Sequence, residues 1–100
     1  MILEVAMLDV ISTEEEAFEA AFSEAQKIIS SREGYISHQL QKSMETPGRY
    51  VLLVNWVSQQ AHTVDFRASQ EYQEWKALLH HFYDPFPVVE YFESVFENGT

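Results

Sequence analysis

The side chains best suited to chemistry in this chain are four histidines, one strand asparagine and a set of aromatic residues. His62 stands four residues after Ser58, a residue type that caps helices, and so falls in the first turn or so of a predicted helix. The positive end of a helix favours a neutral imidazole, and a neutral imidazole can take a proton, which makes His62 the leading candidate for a general base. Asn55 and the indole N–H of Trp56 could donate to a developing oxyanion. As neighbours on a strand they point to opposite faces, so at most one of the two side chains reaches a given pocket. Each also has a plain structural role open to it. His62 could pack or cap, Trp56 could be core, and Asn55 could satisfy a backbone group at a sheet edge. His38 shares a strand with Ile36 and Leu40 and faces either the pocket or a seam between two copies.

Other chemistries find little support. His80 and His81 are adjacent, so on a helix they point about 100° apart, and His62-x-x-Asp65 offers two ligands only. With no cysteine in the chain, disulfides, thiolate catalysis and Cys-based metal sites are absent as well, and no metal site is expected. Glu14, Glu15 and Glu16 lie at a helix start, where acids complement the dipole, and no spacing supports a catalytic carboxylate pair. Lys and Arg number 6 against 16 Asp and Glu, a formal net charge of −10, with a pI near 4.6. Such a surface repels phosphate backbones and anionic membranes, so neither nucleic acid nor lipid is an expected partner. The apolar first eleven residues contain Glu4 and Asp9 and no cationic leader, which argues for a strand rather than a signal or a membrane span, and for a cytoplasmic location.

These residues have to be positioned by one domain, expected over 1–96 with a tail at 97–100; Asn98-Gly99-Thr100 matches a glycosylation sequon but is read as part of that tail. Ile2 to Ile11 reads as a strand with Leu3, Val5 and Met7 on one face and Ile2, Ala6, Leu8 and Val10 on the other. A capping box, Thr13 to Glu16 or Ser12 to Glu15, opens a helix whose apolar stripe is Phe18, Ala21, Phe22, Ala25, Ile28 and Ile29. Gly34 ends it. Tyr35 to Met44 and Arg49 to Val57 are strands joined at Glu45-Thr46-Pro47-Gly48. Ser58 caps a short helix to about Arg67, Ser69 caps another from Gln70 to Phe82, and Val88 to Phe96 is the last strand. The order βαββαβ gives a ferredoxin-like α+β fold with the helices on one face of an antiparallel sheet. Strands apolar on both faces then leave the other sheet face uncovered, and a self-complementary homodimer packed sheet against sheet is the expected solution.

From Gly34 to Val95 the chain resembles the antibiotic biosynthesis monooxygenase (ABM) domain family, whose members are dimeric α+β barrels. The resemblance is carried by Gly34-Tyr35-Ile36-Ser37-His38, Pro47-Gly48-Arg49-Tyr50, Trp56-Val57-Ser58 with Ala61-His62, Phe66-Arg67-Ala68-Ser69, Trp75-Lys76-Ala77-Leu78 and Pro87-Val88-Val89-Glu90-Tyr91-Phe92. It implies a substrate pocket between sheet and helices and, for some members, cofactor-free oxygenation of phenolic or quinol-type compounds. Trp56, Phe66 and Tyr72, with His38, would then line the site of a small aromatic molecule, while His62 takes its proton and Asn55 holds its oxyanion. Family members that degrade heme carry a ligating histidine near Lys76 and an asparagine near Ala6 or Met7, so the same resemblance argues against heme degradation here. Two other readings stay open: a dimeric module that binds a hydrophobic metabolite without turnover, and a structural protein whose core Trp56 fills.

Overall fold

In this computed structural model residues 1–99 are described. The tail expected at 97–100 and its sequon include Thr100, which lies outside them. The strands are β1 (Ile2–Asp9), β2 (Tyr35–Lys42), β3 (Arg49–Trp56) and β4 (Val89–Phe92), and the helices are α1 (Glu15–Ser30) and α2 (Gln70–Leu79). A π-helical segment, Ala61–Phe66, stands between β3 and α2, and single 3-10 turns occupy Ser12–Glu14 and His80–Phe82. The sheet runs β2-β3-β1-β4 with every neighbouring pair antiparallel, the ferredoxin-like order. None of the helices described is long and apolar enough to cross a membrane.

The core forms where the period-two pattern of the strands meets the helical stripe. Ala6 and Leu8 of β1 and Tyr50, Leu52, Val54 and Trp56 of β3 are buried against Phe18, Phe22, Ala25 and Ile29 of α1 and Trp75 and Leu79 of α2. Edge contacts between aromatic rings, such as Phe22 with Trp75, knit the two helices together over the sheet. The opposite strand faces behave differently. Leu3, Val5, Met7, Val51 and Leu53 are only partly covered or exposed, so both faces are apolar but one alone is buried within the chain.

Local signals hold in part. Ser69 accepts the Tyr72 N–H at 3.2 Å and opens α2, and Ser58 accepts the Ala61 N–H at 3.2 Å. Neither expected capping box forms, because a 3-10 turn precedes α1 and no cap side chain bonds its first amides. Glu15 instead reaches the hairpin, accepting the Gly48 N–H at 2.6 Å, with Lys42 3.6 Å away. β1 stops at Asp9, two residues early, and β4 keeps only Val89–Phe92 of the expected Val88 to Phe96, the length over which it pairs with β1.

Gly48 joins this hairpin to β1 and α1. It sits at φ +79°, its carbonyl accepts the Val10 N–H at 2.8 Å, and an added Cβ would stand 2.3 Å from the Val10 carbonyl oxygen. That close approach, with the left-handed backbone, admits glycine alone. Gly48→Ala is expected to lower stability by roughly 2–3 kcal/mol in denaturant or thermal unfolding; an unchanged midpoint would show that the turn is not held as described.

Candidate functional site

A cavity of about 350 Å³ opens between the sheet and the helices. Its apolar walls come from Leu52 of β3, Phe66 of the π-helical segment, and Tyr72 and Trp75 of α2, joined by Val89 and the exposed Phe86. A structural protein filled by Trp56 would have no such space: the indole is fully buried but lies beside the cavity rather than in it.

One corner of the cavity is polar, and the strand pattern builds it. Glu4 shares the inward face of β1 with Ala6 and Leu8, and its cross-strand partner on β4 is Tyr91. Glu4 is only 4% exposed, in an apolar layer where a carboxyl must find partners. It finds two: Trp56 donates its indole N–H to Oε1 at 2.9 Å, and His62 Nε2 stands 3.5 Å from the same oxygen. On its other side the His62 ring bonds through Nδ1 to the Tyr91 hydroxyl. The rings of Trp56, His62 and Phe66 lie tilted against one another with centroids 5.3–6.0 Å apart.

The π-helical segment places His62 there. The His62 carbonyl accepts the Arg67 N–H at 3.2 Å, a bond five residues long that widens the turn, and His62 and Phe66 both point into the cavity while Arg67 stands exposed at its mouth. A widened turn of this kind leaves no trace in apolar spacing, which is why an ordinary short helix was expected from Ser58 to about Arg67.

Electrostatics follow from burial. His62 is 4% exposed, and desolvation with help from the Arg67 charge pushes its pKa down to about 4. Burial raises the Glu4 carboxyl above the ordinary carboxylate range, opposed by the Trp56 donation and by Arg67. Burial and the nearby Glu4 likewise raise the Tyr91 phenol. The Glu4–His62 contact is therefore not a salt bridge, since the imidazole is neutral at pH 7. Because Nε2 faces an oxygen that already accepts a hydrogen bond, the neutral ring fits best with its proton on Nε2, and Nδ1 accepts from Tyr91. The neutral imidazole expected from a helix dipole is present, but its cause is burial.

The sequence-derived candidates divide between the two sheet faces. His62, Phe66 and Tyr72 line the cavity, and Trp56 touches it through Glu4. Asn55 lies on the other face, where its amide donates to Ser37 Oγ at 3.0 Å, so it cannot hold an oxyanion in this cavity. His38 points to the helix side but contacts Tyr35 and Gln26, with its Nε2 3.0 Å from Gln26 Oε1, and does not line the cavity. Neither residue serves the site assigned to it. Glu4 and Tyr91 were missed, although a lone acid among Ala6, Leu8 and Val10 in the same register was a readable signal. His80 lines the cavity and His81 turns outward against Phe82. Among the described residues no three metal-ligating side chains converge.

The acid limb of the stability curve should read this burial directly. The unfolded His62 takes up a proton near pH 6.5 whereas the folded one resists until about 4, so its contribution is present above 6.5 and lost as pH falls through that window. The loss is up to about 3 kcal/mol by linkage. Glu4, raised on folding, leans the other way, its contribution being lost as pH rises. Unfolding from pH 7 to 4 is expected to show the decline, with His62→Gln flattening it and Glu4→Gln steepening it; coincident curves for wild type and His62→Gln would contradict the neutral buried ring.

Comparison with known proteins agrees with this architecture. The antibiotic biosynthesis monooxygenase family profile matches residues 1–78. Uncharacterized protein YczJ of Bacillus subtilis (strain 168) is 54% identical over 95 residues, covering 95% of this chain and all of YczJ. A crystal structure from Bordetella bronchiseptica that carries the family's name superposes with a TM-score of 0.90 at 34% identity, covering 95% of this chain and 97% of that one. SnoaB, a cofactor-independent oxygenase from Streptomyces nogalater, shares the fold at a TM-score of 0.80 and 16% identity, over 96% of this chain and 94% of its own. With a family match over most of its length and a relative of this identity, the chain belongs to the antibiotic biosynthesis monooxygenase family.

Proposed function

We propose that this protein oxidises a phenolic or quinol-type aromatic compound with dioxygen, without metal or flavin. The observation that carries the reading is the Glu4–His62–Tyr91 cluster at the buried end of an aromatic-walled cavity. An electron-rich phenolate or benzylic carbanion can itself reduce dioxygen, so the protein has to remove a proton, hold the anion and keep water out. A ring would slide between Phe66, Tyr72 and Trp75 toward the polar corner. The proton passes to the Glu4–His62 pair, in which His62 has both nitrogens engaged and Glu4 supplies the acceptor. A carboxyl whose pKa is raised by burial is a stronger base than an exposed one. For a methylene beside a phenol, one oxygen atom becomes the product carbonyl and the other leaves as water, the two C–H bonds supplying protons and electrons. The name of SnoaB supports cofactor independence for a protein of this fold.

The test is oxygen uptake with a panel of hydroquinones and anthrone-like phenols in the presence of chelator. Uptake above the spontaneous rate is expected, rising with pH through the raised Glu4 pKa, and falling on the order of 100-fold in Glu4→Gln and in His62→Ala. Thermal stabilisation by the same compounds without uptake would favour a binding module instead.

We also propose that the protein is a homodimer through the outer sheet face. Val5, Val51 and Leu53 form an apolar stripe on the two central strands with Met7 and Phe92, rimmed by Gln39 and Gln41 of β2 and Glu90 of β4. An apolar centre with a polar rim is what an isologous interface requires. Light scattering should give twice the 11.6 kDa chain mass, and Leu53→Glu should halve it; a monomeric wild type at micromolar concentration would refute the dimer.

A further inference from the structure

The distribution of cations narrows the substrate class, an inference that rests on the cavity being the substrate site. The chain has six Lys and Arg residues among sixteen acids, so a basic side chain without an acidic partner is unexpected. Four are partnered. Lys27 meets Glu24 at 3.3 Å, Arg32 meets Glu71 at 3.2 Å, Lys42 meets Glu15 and Glu19 at 3.6 Å, and Arg49 meets Asp9 at 3.0 Å. Arg67 and Lys76 have no acidic partner among the described residues; Arg67 lines the cavity, and Lys76 is an exposed neighbour of its Tyr72 wall.

Arg67 lines the mouth and is exposed there. Lys76, on α2, lies 5.9 Å from the ring centroid of Tyr72, a wall residue. Burial lowers the pKa of His80, a third residue of the lining, and the Lys76 and Arg67 charges add to the shift, so their fields reach the same space. Glu4 is the only acid in the lining, and it sits at the buried end. The cavity is thus graded, with the Arg67 guanidinium at its exposed side, the Lys76 ammonium outside it against the Tyr72 ring, aromatic walls, and the Glu4–His62 pair at the buried end.

We infer that the cavity takes an aromatic carboxylate, its carboxylate held by Arg67 at the mouth with the Lys76 charge adding to the field there, and its ring directed along Phe66 and Tyr72 toward Glu4 and His62. An arginine fork is suited to a planar carboxylate, and Arg67 has no competing acidic partner among the described residues. A neutral phenol would occupy the walls but leave the entrance cations unused. In a chain of net charge −10, which repels anions in general, the local pair is also what lets an anionic substrate approach.

Calorimetric titration with a matched pair, hydroxynaphthoate and naphthol, tests this. The carboxylate is expected to bind at least about 10-fold tighter at low ionic strength, with the preference lost in Arg67→Gln, reduced in Lys76→Gln, weakened by added salt, and unaffected by Arg49→Gln. Equal affinities in wild type, or a preference that survives the Arg67→Gln, Lys76→Gln double variant, would overturn the inference while the cavity stays a binding site. Failure of both probes to bind at millimolar concentration would overturn the cavity reading as well. Since Arg67 is exposed and Lys76 carries no ion pair, circular dichroism should show the variants folded.

Discussion

A carboxyl group set in the middle of an apolar strand has to be satisfied, and the arrangement around Glu4 follows from that requirement. Left ionised and alone in the layer between sheet and helices, it would cost several kcal/mol. Two responses are visible. Its pKa rises, and polar groups from three other elements converge on it: the indole of Trp56 at the end of β3, the ring of His62 in the π-helical segment, and, through that ring, the Tyr91 hydroxyl on β4. The cluster therefore spans the chain from residue 4 to residue 91, and the cavity is the space beside it that side chains do not fill.

The same burial that raises Glu4 lowers His62, so the two groups move toward neutrality together. Opposite shifts on a contacting acid and base are what desolvation produces when their mutual attraction is too weak to hold both charges. The 3.5 Å separation and the Arg67 charge outside keep it weak, since Arg67 disfavours a protonated imidazole while favouring an ionised carboxyl. Groups poised in this way exchange protons with a ligand more readily than a fixed ion pair would, and such perturbed clusters in cavities are characteristic of functional sites.

Much of this was readable in the residues and some was not. Strand parity separated Trp56 from Asn55 and put Ala6, Leu8 and Val10 on one face, and the stripe from Phe18 to Ile29 marked the helix that covers that face. Parity cannot say which face the helices cover, so Asn55 as oxyanion donor and Trp56 as wall are both open until the fold places Asn55 beside Ser37 on the outer side. His38 was misplaced for another reason: β2 is an edge strand with an irregularity between Tyr35 and Ser37, and His38 meets Gln26 beyond the limits of the cavity. Glu4 went unread as chemistry because a single acid in an apolar run was taken only as evidence against a leader or a membrane span. The π-helical segment was invisible because one added residue in a turn changes no hydrophobic period strongly enough to detect over six positions.

The site also depends on a weak part of the fold. β4 is four residues long and lies at a sheet edge, pairing with β1 alone, yet it supplies Tyr91 directly opposite Glu4. Short edge strands open more readily than central ones, because fewer hydrogen bonds and buried contacts hold them. The strand leads out of the Phe86–Val89 wall of the cavity, so its docking brings together the far wall and the Tyr91 hydroxyl that fixes the His62 ring. Closing the cavity and orienting the imidazole are therefore one structural event. A ligand that packs against Phe86 and Val89 would gain most from the docked strand, and by linkage would stabilise the arrangement in which the Tyr91 hydroxyl meets His62 beside Glu4.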